Sequence, residues 1–351
     1  MTSRPVMPAE WEPQSAVMLT WPHPGTDWSP VLGDVEPLFL DIARTVLRFQ
    51  HLLLSCEHVV RLQALEKELN QYALSRGLPG RVIAVPAPAN DTWARDHGPI
   101  ALRTRENSTA LLDFQFNAWG GKFPWEKDNA LNRHLANAGS FGTTPLTPVE
   151  FVLEGGSVES DGRGTLMTTS ECLLSPSRNP NMDRSAVEAL LGETLGAQRV
   201  LWLNHGYLAG DDTDSHIDTL ARFCAADHIC YLGCPPVSDQ HYSALAAMEE
   251  DLAQFRQADG KPYRLTALPF ADPIHDQDGN RLPATYANFL IINGAVLVPV
   301  YGVAQDEQAV EIIGSLFPDR EIIAINCQPL LLQHGSLHCV TMQLPAGVVN
   351  P

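Results

Sequence analysis

The chain has no Cys-x-x-Cys pair of the kind that announces a zinc or redox site, and its seven cysteines are odd in number and irregularly spaced. Reduced thiols are therefore expected rather than a disulfide framework. Long apolar runs are missing too: the most apolar stretch, Ala287 to Ala304, is interrupted by Asn288, Asn293, Gly294 and Pro299, well short of a membrane span. The leading segment, MTSRPVMPAEWEP, contains prolines and two glutamates but no apolar core, so it does not read as a signal peptide. A cytoplasmic location is the expectation. Basic residues are scarce, 23 Lys+Arg against 41 Asp+Glu, for a net charge of −18. That excess is spread along the chain and repels phosphate backbones and anionic lipid. Nucleic acid and membrane are poor partners; small cations remain plausible ones. There is no GxSxG elbow, no GxxxxGK[ST] loop and no HExxH helix, so those serine, phosphate and zinc chemistries lack their residues.

What is present is ordinary globular composition, 44% hydrophobic and 18% charged, with 25 glycines and 27 prolines that point to many turns. No linker or composition shift marks a boundary, so a single domain over residues 1–351 is expected. Helical periodicity runs through Leu38, Ile42, Val46 and Phe49, and through Leu62, Leu65, Leu69 and Tyr72, with weaker windows at 128–138, 183–195, 241–257 and 306–316. Strand-like runs fall at Ala16–Thr20, Arg81–Val85, Ala110–Phe114, Val200–Leu203, Arg264–Leu268, Glu321–Ile325 and Val340–Gln343. Between Phe289 and Val298 the pair Asn293-Gly294 predicts a hairpin with a type I′ turn. Several strands per helix, with a helix every 40 to 60 residues, suit α/β units repeated around a centre, although no repeat is visible in the letters.

Four clusters combine glycine with ionisable groups: Asn90–Pro99, Leu153–Gly156, Gly210–Asp218 and His334–Cys339. Such loops at strand ends are where sites are built. Cys339 follows a Gly335-Ser336 loop at the start of a strand; it reads either as a nucleophile or as a buried structural cysteine. His216 and Asp218 share a face if their segment is extended; otherwise they belong to a solvated acidic loop. A calcium loop counted from Asp212 fails, because Ile217 stands where glycine is needed and Phe223 where glutamate is needed. Glu154 ends an apolar run, and Arg95 is one candidate partner for it. Cys224, His228, Cys230 and Cys234 match no common metal spacing, and with Cys56, Cys172 and Cys327 are read as structural. Asp96, Glu154 and Asp218 without metal would need a cation, and a guanidinium fits, since its planar N–H edges match carboxylates.

Together these clusters resemble the agmatine deiminase branch of the guanidine-modifying (amidinotransferase-fold) superfamily, which also includes bacterial peptidyl-arginine deiminases. The resemblance runs through Trp11-Glu-Pro, Met18–Pro22, Asn90–Pro99, Phe116–Gly121, Leu153–Gly156, Ser175–Pro180, Thr213–Asp218, Tyr286–Phe289 and Ser336–Cys339. It implies an α/β fold of five blades with pseudo-fivefold symmetry (the pentein propeller) and covalent chemistry without a cofactor or metal. It assigns Cys339 as nucleophile, His216 as general acid/base, Asp96 and Asp218 as carboxylates gripping the guanidinium, and Glu154 as the acid orienting the histidine. Trp93, Trp119 and Asn288 match pocket-lining positions. The implied reaction converts agmatine to N-carbamoylputrescine and ammonia, in putrescine (polyamine) biosynthesis; a homodimer is compatible with it. Two loops depart from the family pattern. Gln333–Cys339 reads Gln-His-Gly-Ser-Leu-His-Cys where Gly-Gly-Gly-Asn-Ile-His-Cys is common, and Asp212–Asp218 reads Asp-Thr-Asp-Ser-His-Ile-Asp where Glu-Thr-Asn-Gly-His-Val-Asp is common. Peptidyl or free arginine is the alternative substrate, with Arg95 and Arg178 as candidate clamps for a carboxylate. A propeller that binds a ligand without catalysis is the competing reading.

Overall fold

A computed structural model describes residues 5–104 and 108–349, so the first four residues of the leading segment lie outside the described residues. One unit recurs. A strand pairs antiparallel with the next, a helix crosses over, and a third strand pairs parallel with the second. It occurs as β4 (Ile100–Arg103), β5 (Thr109–Gln115) and β6 (Leu146–Val152) around helix Asp128–Asn137. It recurs as β7 (Glu159–Ser160), β8 (Thr165–Thr169) and β9 (Arg199–Leu203) around helix Arg184–Thr194. A further copy is β10 (Ala221–Ala225), β11 (His228–Leu232) and β12 (Arg264–Leu268) around helix Tyr242–Gln254. The next is β13 (Leu290–Ile292), β14 (Ala295–Val300) and β15 (Glu321–Asn326) around helix Asp306–Leu316. The remaining sheet draws on both ends of the chain. β1 (Gln14–Thr20), β2 (His51–Cys56) and β3 (Val82–Pro86) run parallel, joined by helices Leu32–Val46 and Val59–Ser75, and β16 (Thr341–Pro345) pairs antiparallel with β1. The described strands thus form five small sheets in a mixed α/β fold.

Local chemistry sets these elements. Helix Leu32–Val46 buries Val35, Leu38, Phe39, Ile42 and Val46 along one stripe, each such side chain contributing about 1.5–3 kcal/mol of burial. Its periodic face stops at Val46, so Phe49 falls outside the helix. Asp183 starts helix Arg184–Thr194 by accepting a hydrogen bond from the Ala186 N–H at 2.9 Å. The largest apolar core packs the faces of the Leu32–Val46, Val59–Ser75 and Asp306–Leu316 helices on the β1–β3 and β13–β15 sheets. No helix among the described residues is long and apolar enough to cross a membrane.

The hairpin forms at Asn293-Gly294, between paired Ile292 and Ala295, but its turn is not type I′. Of the two central residues only Gly294 has positive φ, at 71°. Asn293 is held otherwise: its side chain accepts from the Gln14 N–H at 3.0 Å and donates to the Gln14 carbonyl at 2.7 Å, fastening the hairpin to β1. The segment around His216 also differs from expectation. It is not extended, because His216 precedes a helical turn, Ile217–Leu220, that contains Asp218.

What places the site is the stretch just before the edge strand of each sheet that pairs antiparallel with its neighbour, β4, β7, β10, β13 and β16. Asp96 lies on the turn Ala94–His97 before β4, and Glu154 and Gly156 precede β7. His216 and Asp218 precede β10, Asn288 precedes β13, and Cys339 precedes β16. Five equivalent positions thus supply one constellation.

Candidate active site

Cys339 is only 6% exposed and lies in the wall of a cavity of about 160 Å³. Asn288 holds its loop. The Asn288 side-chain oxygen accepts from the His338 N–H at 2.8 Å, the Cys339 N–H at 3.3 Å and the Cys339 thiol at 3.4 Å. Gly335 is required upstream, since a Cβ there would come within 2.2 Å of the Trp93 ring. Burial pushes the Cys339 thiol well above its ordinary range, and the Asp218 and Asp96 carboxylates add to this, against a hydrogen bond from the Ser336 backbone. The unliganded site therefore favours thiol over thiolate.

Asp96, His216 and Asp218 converge at Gly156. A Cβ on that glycine would sit 2.7 Å from His216 Nδ1, 2.8 Å from Asp96 Oδ1 and 3.1 Å from Asp218 Oδ2, so only glycine leaves the three groups together. Asp96 Oδ1 accepts from the Gly156 N–H at 3.0 Å and Oδ2 accepts from Trp119 Nε1 at 3.0 Å. Burial lifts Asp96 to about 6, His216 pulling it down while Asp218 and Glu154 push it up. Asp218 is equally buried, and burial raises it, but the hydrogen bond and charge of His338, with His216 and Arg222, hold it below the usual carboxylate range. Its Oδ2 lies 2.7 Å from His338 Nδ1, while Oδ1 has no hydrogen-bond partner among the described residues. His216 Nδ1 is 3.6 Å from Asp96 Oδ1, and its unbonded Nε2 faces Glu154 at 4.0 Å.

Glu154 is paired, though not with Arg95. Arg178 Nε donates to both of its carboxylate oxygens, at 2.8 and 3.1 Å, and the same guanidinium reaches Asp214 at 2.6 Å and the Thr213 carbonyl at 2.7 Å. Arg95 instead turns toward the His338 carbonyl and Met342 Sδ, each at 3.5 Å. Both arginines are 3% exposed and neither lines the cavity, so neither clamps a substrate carboxylate. Five aspartates line the cavity, Asp27, Asp91, Asp96, Asp211 and Asp212, with no lysine or arginine among the lining residues.

Trp93, Trp119 and Asn288 all line the cavity. Asp91 orients two tryptophans: Oδ2 accepts from Trp93 Nε1 at 2.9 Å and Oδ1 from Trp28 Nε1 at 2.8 Å. Trp119 is held at φ 55°, a costly conformation for a bulky residue, which places its indole edge against Asp96.

Two buried groups have metal-like spacing, Glu154 with Cys172 and His216, and Glu10 with Glu159 and His338. The carboxylates of each are ion-paired to an arginine, Glu154 to Arg178 in the first and Glu10 and Glu159 to Arg222 in the second. The thiols of Cys224 and Cys230 donate to the His228 and Arg222 carbonyls at 3.5 and 3.7 Å, in keeping with a structural role.

Sequence reading did not find Glu10, Glu159 and Arg222, nor the partnership of Arg178 with Glu154. Arg178 lay within a motif, Ser175–Pro180, but its partner stands 24 positions earlier. Glu10, Glu159 and Arg222 had no local signal, being single charges flanked by ordinary residues.

Repeated units that bring a cysteine, a histidine and carboxylates together at one centre, Cys339 and Asp96 in the cavity wall and His216, Asp218 and Glu154 outside its lining, define a protein of the amidinotransferase fold class. An amidinotransferase from Microseira wollei shares that fold, with a TM-score of 0.50 over 98% of each chain at 12% identity. A family model for the Porphyromonas-type peptidyl-arginine deiminase matches residues 6–345, and the chain belongs to that family. It is similar to a Porphyromonas gingivalis protein provisionally assigned as an arginine deiminase (48% identity, TM-score 0.91, 99% of this chain and 100% of that one). A cysteine-to-serine variant of C. jejuni agmatine deiminase with substrate bound is 34% identical, with a TM-score of 0.89 over 98% and 97% of the two chains. Agmatine deiminase from Stutzerimonas stutzeri is 31% identical over 98% of this chain and 96% of its own.

Proposed function

We propose that the protein is a hydrolase of C–N bonds in linear amidines that converts agmatine to N-carbamoylputrescine and ammonia. The observation that carries this reading is the cavity wall: five aspartates, a cysteine and, among the described lining residues, no lysine or arginine. Agmatine is cationic at both ends and has no carboxylate, so the wall suits its amine as well as its guanidinium. The volume, about 160 Å³, is below the ~300–1,000 Å³ of pockets for drug-sized ligands and suits a short substrate.

The geometry supports a covalent course. A guanidinium entering between Asp96 and Asp218 brings the positive charge that Asp96 lacks, and the same charge favours the Cys339 thiolate. Asp218 Oδ1 and Asp96 hold the planar group while the Cys339 thiol passes its proton to His216 and sulfur adds to the central carbon, opening its C=N bond. The C–N bond breaks as His216 delivers a proton to the departing ammonia, leaving an S-alkylthiouronium on Cys339. Water, losing a proton to His216, then adds to the same carbon, and expulsion of the thiol leaves a urea. Glu154 orients His216 from the Nε2 side, with Arg178 fixing Glu154.

Deimination of arginine, peptidyl or free, is the second reading, favoured by the 48% identity to the P. gingivalis protein. Ammonia release from agmatine, arginine and arginyl peptides, measured with excess chelator, separates the two. Release from agmatine alone is expected. Release from arginyl peptides alone overturns the substrate and spares the mechanism, whereas inertness toward every guanidine favours a binding module.

A further inference from the structure

We infer that His338 is a positioning residue for Asp218, backed by a buried chain of charges that runs through Glu10 and Arg222 to Glu159. The inference rests on reading the cavity as a guanidine site.

His338 is 2% exposed. One ring nitrogen, Nδ1, lies 2.7 Å from Asp218 Oδ2, and the other, Nε2, lies 3.0 Å from Glu10 Oε2. Arg222 Nη2 also lies 3.1 Å from His338 Nε2, so that nitrogen sits between Glu10 and Arg222 while Nδ1 is left to Asp218. Behind it Arg222 is ion-paired to Glu10 and to Glu159, and donates to the Ala287 and Phe289 carbonyls at 3.0 and 2.7 Å, on either side of Asn288. Glu10 Oε1 accepts from the Ile291 N–H at 2.8 Å. The chain thus joins the leading segment, β7, β10, the approach to β13 and the nucleophile loop.

The consequence for Asp218 is directional. With Oδ2 taken by His338, the carboxylate cannot swing, and its one unbonded oxygen, Oδ1, remains as a buried acceptor for a guanidinium N–H. Asp96 is as buried but has no such support, both its oxygens being engaged by neutral donors, Gly156 and Trp119. The groups facing Asp218 are His338, His216 and Arg222, with Asp96 and Cys339 across the centre; those facing His338 are Asp218, Glu10 and Arg222, with Arg95 at its carbonyl. Removing His338 takes away the group that keeps Asp218 ionised, so Asp218 loses its charge at a higher pH than before.

The test is the pH dependence of Cys339 alkylation by chloroacetamidine, a cationic amidine, and by neutral iodoacetamide. It compares the full chain with His338→Gln and with Glu10→Gln, the label being mapped by mass spectrometry. In both reagents sulfur displaces halide, and comparing each reagent's rate between variant and parent cancels the difference in leaving group, leaving the charge of the probe as the contrast. We expect His338→Gln to lose at least about tenfold in the amidine rate at pH 7 and its acid limb to move up by about one pH unit. The iodoacetamide rate should change far less. Glu10→Gln should shift the limb in the same direction by less. A folded His338→Gln whose acid limb and amidine preference match the parent overturns the inference; should that variant fail to fold, an unshifted limb in Glu10→Gln does so. Because alkylation needs no turnover, a parent chain that releases no ammonia sinks the proposed function and leaves this test readable.

Discussion

Two layers of buried charge meet at Gly156, and they are prepared in opposite ways. Toward the cavity, Asp96 and the Cys339 thiol are paired with no lysine or arginine among the described residues, and burial pushes both upward. On the far side, Asp218, Glu10 and Glu159 have His338 and Arg222 among them; burial would raise Glu10, yet Arg222 and His338 hold it well below the usual range. A protein can bury a carboxylate by giving it a permanent partner or by leaving it largely neutral until a ligand supplies the charge. The first choice makes a rigid support. The second makes a site.

The comparison breaks most sharply at the nucleophile. Cys339→Ser should lower turnover by at least about 10³-fold with unchanged circular dichroism and melting temperature, because nothing on the cavity side depends on sulfur for stability. Arg222→Met should do the reverse kind of damage. It strands Glu10 and Glu159 in the interior, and removal of one partner of a buried pair costs about 3–5 kcal/mol, readable as a lowered denaturant midpoint. At the junction, Gly156→Ala should reduce kcat/KM about 10²-fold, since its methyl would displace His216, Asp96 or Asp218; a near-parental value would show that the three groups need not converge.

pH sharpens the contrast. Asp96 titrates near 6 in the folded chain, above the ordinary value of 3.8, so between those values the folded state holds more protons and this group's contribution to stability falls as pH rises. Substrate binding runs the other way. KM for a guanidine should drop about tenfold from pH 5 to pH 7 as Asp96 ionises, and Asp96→Asn should abolish that dependence while melting no lower than the parent at pH 8. The smallest effect belongs to Cys234, which is half-buried and outside both layers: Cys234→Ala should keep full activity and stay within about 0.5 kcal/mol of parental stability.

Much of the architecture was readable from periodicity. The window at 306–316 is helix Asp306–Leu316, and the run Arg264–Leu268 is a strand with those bounds. β2 and β6 escaped because His51–Cys56 is a continuous apolar run without alternation and Leu146–Val152 contains Pro148. The site clusters were visible because glycine beside ionisable groups is a local signal. The partner of Glu154 was not, since Arg95 and Arg178 are equally plausible until the backbone sets which one arrives.

Composition, hydrophobic period and short polar motifs depend on neighbours a few residues apart, and those alone determined the α/β character, the acidity and the candidates Cys339, His216, Asp96 and Asp218. Folding decided the pairing of charges far apart in the chain. Glu10 meets His338, 328 positions away, and Arg222 reaches Glu159, 63 positions away. Such pairs leave no mark in either local segment. They exist because burial in a common centre forces each ionised group to find a partner, and tertiary structure alone determines which partner is within reach.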